Sequence, residues 1–253
     1  MALIYHVTPI TPNAVLRSMA GRAFMVRWGR HDQVKIVERI APWIAYDNGA
    51  FGFFLKGIEM AFADWHRFYD WLEPRIYQPG RWAIVPDVIG EGSQIQDALI
   101  REWPFGFKGA PVWHTDEPLD RLLRLCDEWP RVCIGSTGEH FDIWMPGRFG
   151  VEVTAIWAAR MDEVWEALGR RVIVPEVHML RGTAVSHLYP FATADSSSLA
   201  QNGHVYRKLP LALFEGQCGS LDYADKLERS DRRVLRAPEP VPERAPATQF
   251  SLF

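Results

Sequence analysis

Three aspartates stand where apolar, strand-like runs come to an end: Asp47 in "WIAYDNGAF", Asp87 in "WAIVPDVIG" and Asp195 in "PFATADSSSLAQN". A carboxyl group can lend a proton to a leaving group, take one back, accept hydrogen bonds from a ligand edge, or attack a carbon. Three of them in one partly dry site repel each other, so such a cluster needs protons, donors or a cation to hold it. Each acid alone has a plain structural reading. Asp47 precedes Asn48-Gly49 and can set a turn, Asp87 follows Pro86, and Asp195 can cap a helix through Ser197 or Ser198. Other reactive types also end such runs: His6, Arg27, His114 with Asp116, Gly135 with Ser136, and His178.

The elements that must position these residues are legible as eight β-like runs: "LIYHVTP", "AFMVRW", "WIAYDN", "WAIVPDV", "PVWHTD", "RVCIGS", "VIVPEVHML" and "YPFATAD". Between most of them lie helical patterns, from "TPNAVLRSMAG" to "ARMDEVWEALG", with Thr11, Asp32, Ser93 and Asp162 as candidate caps. Strands alternating with helices argue for parallel βαβ units, and eight of them predict an α/β fold, a (β/α)8 barrel. In such a barrel the strand ends converge on one mouth. The link "RGTAVSHL" is too short for a regular helix, so the barrel is irregular near its last strands. A closing helix is expected in "CGSLDYADKLERSDRRVLR". The expected organisation is a catalytic barrel over 1–236, a Pro-rich linker over 237–248 and a terminal peptide over 249–253.

The chain has 253 residues, enough for one large domain, with 48% hydrophobic and 23% charged residues and a net charge of −3. That balance gives no general pull toward nucleic acid, although residues 1–40 are locally basic, with Arg17, Arg22, Arg27, Arg30, Lys35 and Arg39. No apolar run reaches the ~20 residues of a membrane span, and the N-terminus lacks a targeting pattern, so a cytoplasmic protein is expected. Cys126, Cys133 and Cys218 show no metal-ligand spacing, and Cys126 and Cys133 read as small core residues. Phe51, which follows the Asp-Asn-Gly-Ala turn, is the preferred aromatic for stacking on a flat ligand.

The order of these motifs resembles the queuine tRNA-guanine transglycosylase superfamily over residues 40–203. "AYDNGAF" is similar to its Asp-Ser-Gly-Gly-Phe segment, and "AIVPDVIG" stands at its second aspartate motif. "VCIGSTGE" and "VHMLRGT" resemble its glycine-rich loop and its Leu-Met-Gly segment, and "FATADSSSLAQN" its nucleophile strand end. The resemblance implies a (β/α)8 enzyme, a pentosyltransferase, that exchanges guanine in nucleic acid for a 7-deazaguanine such as preQ0. It makes Asp195 the nucleophile at the sugar C1′ and Asp47 the acid/base. Asp87, His114, Gly135, Ser136 and Met179 would contact the base. The family's zinc module has no counterpart here beyond Cys218, so neither metal nor other cofactor is expected. That absence favours the short phage and bacterial members that act on DNA rather than tRNA.

The terminal "QFSLF" resembles a bacterial sliding-clamp-binding peptide, with Gln249 for directional hydrogen bonds and Leu252 and Phe253 for an apolar pocket. A clamp is therefore an expected partner, beside nucleic acid and a 7-deazaguanine base, and no membrane. Rival readings are a metal-dependent hydrolase using His6, His114, His178 and Asp195, an N-glycosidase that releases the base to water, and a non-catalytic nucleic-acid-binding barrel.

Overall fold

A computed structural model describes residues 2–29, 31–147, 150–197, 199–200, 219–229 and 235–236. The strands β1 (Leu3–Val7), β2 (Ala23–Arg27), β3 (Trp43–Asp47) and β4 (Arg81–Ile84) come first. They are followed by β5 (Gly109–Ala110), β6 (Val112–His114) and β7 (Arg131–Gly135). A hairpin of β8 (Trp144–Gly147) and β9 (Gly150–Val153) precedes β10 (Glu176–Met179), β11 (Thr193–Ser196) and the short β12 (Leu235–Arg236).

All partners in the main sheet are parallel, in the order β5-β4-β3-β2-β1-β11-β10-β7-β6. Its two edges are consecutive pieces of one run, parted by Pro111, which has no N–H to give to a ladder. Val85 N–H donates to Ala110 O, and Cys133 N–H donates to Pro111 O, so this single run joins β4 to β7. The sheet therefore returns on itself. Eight strand positions form an α/β barrel of TIM type, as the eight runs predict.

Strand alternation sorts the side chains into two cores. Tyr5, Met25, Ala45, Trp82, Val112 and Cys133 fill the barrel interior. Their neighbours, such as Ile4, Phe24, Val26, Ile44, Trp113 and Ile134, point outward beneath the helices. The helices are α1 (Asn13–Ser18), α2 (His31–Ile40), α3 (Ala50–Phe54), α4 (Phe62–Ile76), α5 (Ser93–Arg101), α6 (Leu119–Glu128), α7 (Ala155–Gly169) and α8 (Gly219–Glu228). Helix α4 buries Trp65, Phe68, Tyr69, Leu72 and Ile76, the three-and-four spacing of one helical face. Helix α7 buries Trp157, Met161, Val164 and Leu168 in the same way.

The link between β10 and β11 is built of turns, which fits the missing helix. The four candidate caps do not serve as N-caps. Pro12 and Gly92 precede α1 and α5, and Thr154 precedes α7. Asp32 lies within the first turn of α2, and Asp162 lies mid-helix, bonded by the Tyr189 hydroxyl at 2.8 Å. The β8–β9 hairpin has no counterpart among the expected elements. Cys126 and Cys133 are buried free thiols, and burial pushes the Cys126 thiol up to about 11. Cys218, Arg30, Ser198, the linker 237–248 and Gln249, Leu252 and Phe253 lie outside the described residues. Among the described residues no helix is long and apolar enough to cross a membrane.

Candidate active site

At the C-terminal end of the barrel a cavity of about 490 Å³ is lined by Asp47, Asp87 and Asp195 together. Its size falls within the ~300–1,000 Å³ usual for small-molecule sites. Gly135, Ser136, His114, Phe51 and Arg27 also line it, so eight of the residues marked from sequence share one chamber. The register explains the convergence. Arg27 is paired with Asp47 across β2–β3, Tyr5 with Asp195 across β1–β11, and His114 with Gly135 across β6–β7. Each functional side chain is the last inward position of its strand or the first residues beyond it.

Asp195 is 6% exposed, and its Oδ1 carries the contacts that fix it. The Arg181 backbone N–H donates to Oδ1 at 2.9 Å, and His178 Nε2 lies 3.3 Å away. His178 Nδ1 lies 2.7 Å from Thr193 Oγ1, so the Nε2–H tautomer donates to Asp195 while accepting the threonine proton. Oδ2 has no hydrogen-bond partner among the described residues. A carboxylate anchored by one oxygen, with the other facing a cavity, is arranged for attack on an electrophilic carbon.

Asp47 is set differently. Its Oδ1 accepts the Gly49 N–H at 2.9 Å, a tight turn that requires Gly49 to adopt a positive φ of 83°. Burial pushes its carboxyl up to about 6, opposed by the Gly49 N–H, reinforced by Asp195, and adjusted in opposite senses by Arg27 and Asp87. The electrostatic influence of both other aspartates shows that the three acids act on one another. A carboxyl of this kind exchanges a proton near neutrality, as acid/base work demands.

Asp87, 7% exposed, is held at both oxygens. Asn48 Nδ2 donates to Oδ1 at 2.8 Å, and His114 Nε2 lies 3.0 Å from Oδ2. Burial alone would lower the pKa of His114, but the hydrogen bond and charge of Asp87 outweigh it and the net shift is upward. Two occupied acceptor sites leave a carboxylate with capacity for a ligand N–H.

Arg181 closes the side wall. Its backbone lies in the left-handed region at φ 57°, and its N–H donates to Asp195 Oδ1. Its guanidinium donates to Ser136 O at 3.3 Å and Phe141 O at 3.2 Å. It also lies 4.9 Å from the ring centre of Phe51 and 4.6 Å from that of Phe141, and these rings are themselves stacked. Phe51 is 36% exposed and lines the cavity, so part of its ring stays open to it.

Four strand-end residues do not join the cavity wall. His6 alternates outward from Tyr5 and Val7, is buried beneath α8, and bonds Glu228 at 2.8 Å. The set His6, His114, His178 and Asp195 therefore does not assemble. Among the described residues, no group of three or more His, Cys, Asp or Glu side chains is placed to hold a metal ion. Met179 alternates outward between His178 and Leu180 and packs in the outer core, so it does not reach the chamber, whereas Leu180 does. Asp116 accepts the Thr137 hydroxyl at 2.6 Å outside the lining. His178 is the floor beneath Asp195 rather than part of the wall.

Asn48, Arg181 and Phe141 carry site geometry that motif reading missed. Asn48 was adjacent to a marked acid, a usable signal. The role of Arg181 depends on a backbone conformation that its local sequence does not announce. No protein-family model, no curated protein and no solved structure matches this chain.

Proposed function

We propose that this chain is a base-exchange transglycosylase, replacing guanine in nucleic acid by a 7-deazaguanine such as preQ0 through a covalent Asp195–glycosyl intermediate. The observation that carries this reading is the division of labour among three acids on one cavity. Asp195 is anchored by one oxygen, Asp47 exchanges a proton near neutrality, and Asp87 is locked between Asn48 and His114.

The chemistry needs those roles. Asp195 Oδ2 bonds to C1′ as the C1′–N9 bond breaks, and the purine leaves with the bonding pair and a proton from Asp47. The incoming deazaguanine returns its N9 proton to Asp47, attacks C1′ and expels the Asp195 carboxylate. One difficult displacement thus becomes two easier ones, as in retaining glycoside hydrolysis. Asp87 and the backbone near Gly135 and Ser136 would read the base edge, while Phe51 stacks on its face. DNA is favoured over tRNA by the lack of cysteines for a zinc module and by the clamp-like "QFSLF".

The test is direct. Purified protein is incubated with duplex DNA, single-stranded DNA and tRNA together with a set of 7-deazaguanines. The nucleic acid is then digested and its nucleosides resolved by mass spectrometry. Incorporation is expected with the wild type and is lost, by at least about 10³-fold, in Asp195→Ala. Incorporation that survives this substitution assigns the nucleophile elsewhere, and base release without incorporation favours the N-glycosidase.

A further inference from the structure

Three basic side chains line the cavity: His114, Arg181 and Arg27. His114 is spent on Asp87, and the Arg181 guanidinium on two carbonyls and two rings. Arg27 makes no hydrogen bond or ion pair with any described residue, although it is half-buried at the last inward position of β2. It is near enough to Asp47 to act on its charge, yet beyond ion-pair contact. Its guanidinium lies against α3, in space that exists because residue 52 is glycine. A Cβ at Gly52 would collide with it. A half-desolvated guanidinium with no donor spent on a described residue calls for an anion with paired oxygens.

The order of strands says where that anion lies. Around the mouth run Asp195, Val7, Arg27, Asp47, Asp87, His114, Gly135 and Leu180. Asp87, His114 and Gly135 form one side of the ring. Asp195 and Arg27 lie on the other, separated by β1 alone. A sugar held with C1′ at Asp195 and its base toward Asp87 turns its remaining substituents toward Arg27. On a nucleotide those substituents carry phosphate. Resting on the transglycosylase reading, the geometry points to Arg27 as the group that binds the phosphate attached to the sugar undergoing exchange. Other basic residues of the N-terminal segment are differently placed. Arg22, for example, is committed to Asp225 and Glu228 beneath the outer face.

The experiment measures binding of a short, fluorescently labelled single-stranded DNA containing one guanine, with thermal melting as a check on folding. Arg27→Gln is expected to weaken binding about tenfold and to flatten the slope of log affinity against log salt by about 0.7, the share of one phosphate on a single strand. Arg27→Lys keeps the slope. Gly52→Ala reproduces the loss with the arginine still present. Replacing each linkage in turn by a neutral methylphosphonate weakens wild-type binding at a linkage adjoining the guanosine and leaves Arg27→Gln unaffected there. Competition by deoxyguanosine monophosphate against deoxyguanosine separates the two phosphate sources. Preference for the monophosphate by the wild type alone means that a terminal phosphate suffices. Loss confined to the oligonucleotide means that a bridging diester is required. An Arg27→Gln protein with an unchanged salt slope and the same sensitive linkage overturns the assignment while leaving base exchange standing. A wild-type protein that neither binds nor modifies nucleic acid removes the transglycosylase reading and the phosphate site with it.

Discussion

Asp47→Asn is a perturbation whose size follows from the site and needs no substrate. Burial pushes the Asp47 carboxyl from its ordinary 3.8 up to about 6, so the folded protein holds that proton more tightly than the unfolded chain does. Ionising it therefore costs folding free energy. The cost is absent below about pH 4, grows between the two pKa values and is complete above about 6. At about 1.4 kcal/mol for each tenfold change in proton affinity, the full effect is on the order of 3 kcal/mol. Asparagine keeps an oxygen for the Gly49 N–H and carries no charge. The variant should match the wild type near pH 4 and exceed it by up to about 3 kcal/mol above pH 7. Urea denaturation of both proteins from pH 4 to 8 reads the difference directly, and contributions from His114 and other groups largely cancel. Stabilities that run parallel across this range, or a variant weaker than the wild type at pH 7.5, would refute the account of Asp47 as a buried acid beside two others. The same proton governs chemistry. In the proposed reaction, kcat/KM for guanine displacement should fall with unit slope above about pH 6, and Asp47→Asn should remove that limb.

The remaining expectations concern neighbouring groups. The His114 ring should titrate above 6.5 by NMR, and Asp87→Asn should bring its pKa down because burial then meets less opposition. The stability this histidine contributes is present below its unfolded pKa and is lost as pH rises through the folded one. Arg181→Gly and Arg181→Ala both remove the guanidinium, but only glycine relieves the positive φ, so the glycine variant should be the more stable by about 1 kcal/mol in denaturant titrations. Burial tends to raise the Glu228 pKa, but the bonds from His6 and Arg22 outweigh it and the net shift is downward. The anchoring of α8 is therefore present above its unfolded pKa and is lost as pH falls through the folded one. Hydrogen exchange across 219–228 should accelerate in Glu228→Gln at neutral pH.

The sequence by itself determined the eight strands, most helices, the parallel barrel and the shared position of Asp47, Asp87, His114, Gly135 and Asp195. These follow from local rules: apolar alternation with period two, helical faces with period near four, and the convergence of strand ends in a closed sheet. The same alternation already separates His6 and Met179 from the mouth, since each sits one residue from an inward position. Only the tertiary structure decided what each acid is equipped to do. The locking of Asp87 by Asn48 and His114 and the support of Asp195 by His178 and the Arg181 amide join residues far apart along the chain. Their proton affinities and partners depend on distance and burial in three dimensions, which no local pattern along the chain encodes.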